Sequence, residues 1–409
     1  MTAQRFLIES ASAGPTINSQ GCLTDEYSLR FAGGVSGRGS APLGETRSRY
    51  ELAAGATDAQ IVLDRLSADG VIGRELSQRE FDEYLAANVA ALGPAAVFSL
   101  SCAFFEAAMQ SPAARPRPVQ ARSPRFCLNI LNGGRHAYTN PVLSDFHEYL
   151  LVPRHADIAL LLDDHRAIQD KVRSHLSQKE TTRVHGNQVH VLGGQGNRDC
   201  IRFLLVILDD AGLSERYELM IDASAAQLWN GSTYALDLAE KRTFSPPELE
   251  DYWSDILENY PVTLLEDPFA EHDLAHWRSL VARTTGCRIV GDDVHSGEPR
   301  RIRRLLDTAC MEGVMLKPDQ AGTVSATLEA AEVARAAGAP VILSHRSIST
   351  DSLVLAHLMA EAGIELAKFG PLLSDFSSIL KMNEILRITQ EPRLATRTEG
   401  IGRNEHVRV

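Results

Sequence analysis

The chain has 409 residues, 44% of them hydrophobic and 23% charged, ordinary proportions for a water-soluble globular protein and long enough that two domains are expected. A formal net charge of -12 leaves no basic excess to neutralise phosphates along an extended surface, which excludes a general nucleic-acid role. The six cysteines are scattered without CxxC pairs, no apolar run reaches the roughly 18 residues of a membrane span, and the N-terminus has no apolar signal core, so the expectation is a soluble, cytoplasmic protein with reduced thiols.

Residues 1 to about 30 are weakly patterned, with one strand expected in CLTDEYSLRFA. Ala32 to Arg49 is rich in glycine and serine and lacks the Gly-Lys-Ser/Thr ending of a nucleotide loop, so it reads as a mobile surface loop or as a lid. Helical periodicity follows from ATDAQIVLDRLSADG to AVFSLSCAFFEAAMQ. Ser111 to Arg125 is rich in proline and arginine and cannot continue a helix. A domain boundary is placed there, giving an N-terminal α+β capping domain (1–125) and a second domain (126–409).

From Phe126 onward, short apolar runs end abruptly on polar residues and are followed by helix-like segments. YELMID ends at Asp222, VTLLED at Glu266, CRIVGD at Asp292, EGVMLK at Lys317, PVILSHR at Ser344 to Arg346 and IELAK at Lys368; FHEYLLVP carries His147 and Glu148. Such alternation predicts a parallel sheet, and about eight units close into a (β/α)8 barrel with the carboxyl ends of the strands on one rim. NILNGG is expected to end in a tight turn that aims His136 away from its strand, although a lone histidine is more often structural. QVHVLGG is expected to place Val191 and Leu192 on the same rim, the one such position without a functional group.

The rim chemistry follows from residue type. Asp222, Glu266 and Asp292, from successive strands, would repel one another unless a cation sat among them, and all-oxygen ligation selects Mg²⁺, with Mn²⁺ possible. Taken singly, each acid also reads as a helix cap or an ion-pair partner. Lys317 and Lys368 beside that cation would have their protonated forms disfavoured, as a base requires. Arg346 with Ser347 would suit a phosphate or carboxylate.

These motifs resemble the enolase (phosphopyruvate hydratase) family over most of the chain, from about Val35 to Gln390. NILNGGRHA, FHEYLLVP, LMIDASAAQLW, LLEDPF, IVGDDV, LKPDQAGTVSATLEA, ILSHRSISTD and ELAKFGPLLSDFSSILKMNEILRI match the family in order. The resemblance implies that Asp222, Glu266 and Asp292 bind a tightly held Mg²⁺ and that Lys317 removes the proton alpha to the substrate carboxylate. It further implies that Lys368 holds that carboxylate, that Arg346 and Ser347 hold a phosphate, and that His345, His136, His147 and Glu148 line the pocket. The loop near Ser36 to Ser40 would be the lid that brings in a second Mg²⁺, and the chain would form a homodimer. Departures accompany the matches. Where the family reads Asp-Glu-Gly-Gly, this chain has Val191-Leu192-Gly193-Gly194, so the family's dehydrating glutamate is a leucine. The family's Asn-Gln after the catalytic lysine is Pro318-Asp319-Gln320 here, Gly-Glu after the His-Arg-Ser motif is Ile348-Ser349, and the glutamine before the Glu148 position is His147. The expectation is a diverged enolase relative that works on a phospho- or phosphono-substituted three-carbon acid, similar to a carboxyphosphonoenolpyruvate synthase. The alternatives are a phosphopyruvate hydratase and a non-catalytic binding protein.

Overall fold

The computed structural model describes residues 4–51, 57–111, 123–134, 139–370, 372 and 375–389. The N-terminal part is an antiparallel sheet of β1 (Arg5–Ile17), β2 (Leu23–Phe31), β3 (Ser36–Ser40) and β4 (Glu75–Ser77), in the order β3-β2-β1-β4. It packs on helices α1 (Ala59–Ala68), α2 (Gln78–Ala87), α3 (Val89–Leu92) and α4 (Pro94–Gln110). Along β2 the alternate residues Tyr27, Leu29 and Phe31 are buried, as a sheet with one face on a core requires. Ser77 and Glu80 form a reciprocal capping box that starts α2, and Pro94 sits in the first turn of α4, where its missing N–H costs nothing.

The glycine-rich stretch is not the loop its composition suggests. Ser36–Ser40 is a β-strand, and a Cβ built on Gly37 or Gly39 would stand 2.2 Å from Ala107 N or 2.0 Å from Ser99 O of α4. Glycine is used here for close approach of a strand to a helix. A strand wedged against a helix in this way is not the lid that the resemblance places near Ser36 to Ser40.

The barrel strands are β5 (Arg125–Phe126), β6 (Leu128–Asn132), β7 (Glu148–Pro153), β10 (Tyr217–Asp222), β13 (Val262–Glu266), β14 (Arg288–Gly291), β15 (Gly313–Leu316), β16 (Val341–Ser344) and β17 (Leu366–Lys368). Only Cys127 separates β5 from β6. β5 pairs with β17 and β6 with β7, so one interrupted strand closes the ring. Outside it lie two hairpins, β8 (Thr181–Val184) with β9 (Asn187–His190) and β11 (Tyr234–Leu236) with β12 (Arg242–Phe244). The surrounding helices are α5 (Ile158–Leu176), α6 (Arg198–Asp210), α7 (Pro246–Asn259), α8 (Leu274–Arg283), α9 (Pro299–Asp307), α10 (Pro318–Ala321), α11 (Val324–Ala336), α12 (Val354–Ala362) and α13 (Phe376–Thr389). Inside, Cys127, Leu150, Met220, Leu264, Met315 and Ile342 belong to one buried cluster that fills the ring, so the barrel is a packed core, not a pore.

Two expectations are corrected. The sheet is not all parallel: β7 pairs antiparallel with both β6 and β10. The described residues of the link from β6 to β7 form no helix, and the antiparallel pairing makes the chain turn back instead of crossing over. Glu148 therefore reaches the rim from the start of its strand, directly opposite Asp222 at the end of β10. The QVHVLGG run is not a barrel strand; it belongs to the β8–β9 hairpin, and Leu192 lies beyond it, partly buried against the outer core.

Candidate functional site

The centre of the rim is Lys368. Its Nζ lies 2.8 Å from Asp222 Oδ2 and 2.7 Å from Glu266 Oε2. Glu148 Oε2 is 2.8 Å away but off the hydrogen-bonding direction. The strand register explains the convergence, since Asp222 pairs with both Glu148 and Glu266, on neighbouring strands. Asn129 Nδ2 donates to Glu148 Oε1 at 2.6 Å and fixes that carboxylate. Glu266 is fully buried, and its second oxygen has no hydrogen-bond partner. Burial disfavours the charge on Lys368, but Asp222, Glu148 and Glu266 outweigh it and hold the ammonium well above its ordinary range. Burial likewise pushes Asp222 up, yet Lys368 and then His147 bring it below the usual carboxylate range; Glu266 goes the other way, raised by burial and by the charge of Asp222. The pair thus shares its charge unevenly, with Asp222 the anion that Lys368 favours.

Lys317 forms the second pair, an ion pair with Asp292. Asp267, at a left-handed φ of 45°, orients that segment by accepting from the backbone N–H groups of Asp292 and Asp293, both at 2.9 Å. Asp292 Oδ1 is buried and unpartnered. Burial pushes Lys317 down, but Asp292 and then Asp293 raise it above its ordinary value. This reverses the expected direction for both lysines. The expectation assumed a cation among the acids, whereas here the ammonium groups neutralise them. Among the described residues no three His, Cys, Asp or Glu side chains are arranged to hold a metal ion, because the acids are drawn onto the lysines. Their chemistry still fits a hard divalent cation. The donors are all oxygen, they come from three adjacent strands, and two of the oxygens, Glu266 Oε1 and Asp292 Oδ1, are buried without a partner.

Arg346, beyond the end of β16, is 3% exposed. Its Nη1 donates to Asp319 Oδ2 at 3.0 Å, and its Nη2 to Thr46 O at 3.0 Å and Glu51 Oε2 at 3.3 Å. Residues 41–51 lie over this corner of the rim. Leu43 and Ile348 form a backbone bridge, Glu45 N donates to Ser347 Oγ at 3.0 Å, and Ser48 Oγ donates to Asp293 O at 2.7 Å. Gly44 allows the closure, since a Cβ there would stand 1.7 Å from Arg346 Nη2. Ser40 contributes its Oγ to Thr350 Oγ1 at 2.8 Å and is buried. His345 accepts from Gly370 N at 3.2 Å through Nε2, and burial, then Lys381, push it down to about 3, so it is neutral. His147 is buried with its backbone N–H on Asp222 O at 3.1 Å. His136 lies outside the described residues.

The structure thus brings Lys317, Lys368, Glu148, Asp222, Glu266 and Asp292 together at the mouth, with His345, Arg346 and Ser347 beside them. The sequence reading missed Asn129, Asp267, Asp319 and Glu51. Asp267 was visible as the second acid of LLED, and Asp319 as a departure from the family pattern; nothing local announced Asn129 or Glu51.

A barrel closed by one interrupted strand, with charged groups gathered at one rim, defines a (β/α)8-type barrel whose polar site lies where such barrels carry theirs. A family model described as "Enolase, C-terminal TIM barrel domain" matches residues 121–408. The chain is 29% identical to an enolase of Acidothermus cellulolyticus, over 97% of each chain. It is 27% identical to an enolase of Methanococcoides burtonii, over 95% of this chain and 96% of that one. The chain belongs to the enolase family.

Proposed function

We propose that the protein removes a proton alpha to the carboxylate of a small phospho- or phosphono-substituted three-carbon acid and directs the resulting enolate to a biosynthetic product. The observation that supports this most is the grouping of Lys317 with three strand-end acids, opposite Lys368 and a buried Arg346. Asp222, Glu266 and Asp292 would hold Mg²⁺. When bound, the ion would take up the charge of these acids and of the developing enolate, leaving burial as the main influence on Lys317. Lys317 then takes the alpha proton on its neutral amine. Lys368 faces the substrate carboxylate, Arg346 and Ser347 face the distal anion, and residues 41–51 exclude water. His345 and His147 line the pocket as neutral or hydrogen-bonded walls, and a homodimer through the N-terminal part is proposed with it.

Glu148 is held by Asn129 and Lys368, and Leu192 offers no proton where the family has its dehydrating acid. Loss of such assistance commonly costs roughly 10²–10⁴-fold. This supports chemistry other than plain dehydration, in the manner of a carboxyphosphonoenolpyruvate synthase. The second reading is phosphopyruvate hydratase, favoured by likeness to proteins named enolase over nearly the whole chain. The test is incubation with 2-phosphoglycerate and Mg²⁺ in deuterium oxide. Alpha-proton exchange that disappears in Lys317→Ala, with little phosphoenolpyruvate formed, is expected. Rapid phosphoenolpyruvate formation would establish the hydratase instead, and exchange that survives Lys317→Ala would overturn the base assignment.

A further inference from the structure

We propose that Asp319 is a specificity-determining residue that restricts the anion site at Arg346 to distal groups of single negative charge. The inference rests on the acid-binding site proposed above and narrows its substrate class. Two carboxylates already contact the Arg346 guanidinium, Asp319 at 3.0 Å and Glu51 at 3.3 Å. They differ in how they are anchored. Glu51 sits in the covering segment that also carries Thr46 and Gly44, so an entering anion can replace it when that segment moves. Asp319 cannot withdraw in the same way. It is the second residue of α10, whose N–H groups at Gln320 and Ala321 bond to Lys317 O at 3.1 and 3.2 Å. The following helix, α11, is clamped from the N-terminal part: Ser101 Oγ accepts from Val324 N and Asp82 Oδ2 from Ser325 N, both at 2.9 Å.

A ligand that reaches Arg346 therefore meets a fixed carboxylate on the same guanidinium. Replacing Glu51 by a singly charged oxyanion conserves the local charge, whereas a doubly charged one adds a negative charge beside Asp319. Asp319 lines two small cavities, about 20 Å³ with Ser40, His345, Arg346 and Lys381, and about 80 Å³ with Arg47, Glu51 and Gln320. Besides Arg346, two cationic side chains line them: Lys381 donates to Thr350 O and Ser377 O at 3.3 and 3.2 Å and so is turned to backbone carbonyls, and Arg47 belongs to the same covering segment as Glu51 and leaves with it when that segment moves. Within the phosphorus-substituted acids proposed above, the distal group that fits is a singly charged phosphinate or phosphodiester, in preference to a phosphate or phosphonate dianion.

The experiment compares two ligands matched in length, 3-phosphonopropanoate and its P-methyl phosphinate analogue, at a pH where the phosphonate is doubly ionised. Binding to the full chain with Mg²⁺ is measured by calorimetry for the parent, Asp319→Asn and Glu51→Gln. The parent is expected to prefer the phosphinate. Asp319→Asn should improve phosphonate binding on the order of tenfold or more while changing phosphinate binding far less. Glu51→Gln should improve both ligands by a similar factor, because either anion must displace it. A preference that Asp319→Asn leaves unchanged, with both ligands binding, overturns the role of Asp319 alone. Failure of both ligands to bind any of the three proteins overturns it together with the acid-binding site on which it rests.

Discussion

Replacing Lys368 with methionine keeps most of the side-chain volume and deletes the ammonium that lies within 2.8 Å of three carboxylates. One of these, Glu266, is fully buried. Removing one partner from a buried ion pair leaves an uncompensated charge and costs about 3–5 kcal/mol. With an unfolding entropy of about 2.1 cal/mol/K per residue over 409 residues, that loss lowers the melting temperature by roughly 3–6 °C. The deficit should depend on pH. Burial and the charge of Asp222 raise Glu266 above its unfolded value while Lys368 holds it down; without the ammonium the folded variant keeps this carboxyl protonated to higher pH, so it goes on losing stability over a pH range where the parent no longer does. The variant should therefore lie close to the parent in mild acid and fall further behind toward neutral and alkaline pH. Added Mg²⁺ should stabilise Lys368→Met more than the parent, because a cation entering the acids no longer competes with an ammonium. Thermal unfolding in chelator and in millimolar Mg²⁺, across this pH range, measures all three effects. A variant as stable as the parent in chelator, or one that gains no more from Mg²⁺, would refute the view that Lys368 neutralises a cation site.

Two further outcomes test the scaffold. Gly39→Ala places a methyl group against Ser99 O, where a Cβ has only 2.0 Å; overpacking of this kind costs about 1–3 kcal/mol, read as a lower denaturant midpoint with an unchanged slope. His295 is buried, with Nε2 2.8 Å from Gly291 O and Nδ1 accepting from Gly297 N at 3.0 Å, and burial pushes it down to about 4. The unfolded chain binds the extra proton between that value and about 6.5, so stability should rise with pH across this window by up to about 3 kcal/mol. His295→Gln should flatten that part of the denaturant-midpoint profile, and an unaltered slope would show that the titration belongs elsewhere.

The legible part of the molecule was the part with a local signal. Lys317 and Glu266 each end a short apolar run, and an apolar run broken by a charge marks a strand end whatever surrounds it. Strand direction leaves no such mark. EYLLVP reads the same whether β7 runs up or down, so Glu148 was assigned to the rim without the reversal that puts it there. β1 escaped notice because most of its residues are exposed or half-buried, leaving no hydrophobic alternation to find. Gly37 and Gly39 misled for a related reason: glycine serves both flexible loops and close strand-to-helix contact, and only the partner helix distinguishes them. The β8–β9 hairpin did carry a usable signal in His185-Gly186, both at positive φ, which was subordinate to the expectation of a barrel strand.

The acids that the sequence reading did not assign to the site alter its electrostatic character. With Glu51, Asp267, Asp293 and Asp319 added to Glu148, Asp222, Glu266 and Asp292, eight carboxylates among the described residues stand around the cations that pair with acids there, Lys317, Lys368 and Arg346. Such a rim cannot hold all its acids ionised. Burial, with the charge of a neighbouring acid next in order, raises Glu266, Asp267 and Asp293, the last to about 6. An organic acid with two or more negative charges would enter a field that already opposes it. Binding such a ligand requires a positive charge to arrive first or together with it, and the orphaned oxygens of Glu266 and Asp292 show where that charge has room to be received. A cation and an acid bound there would thereby be coupled, each raising the affinity of the other by the same factor, and the coupling would follow from the crowding of carboxylates at the mouth.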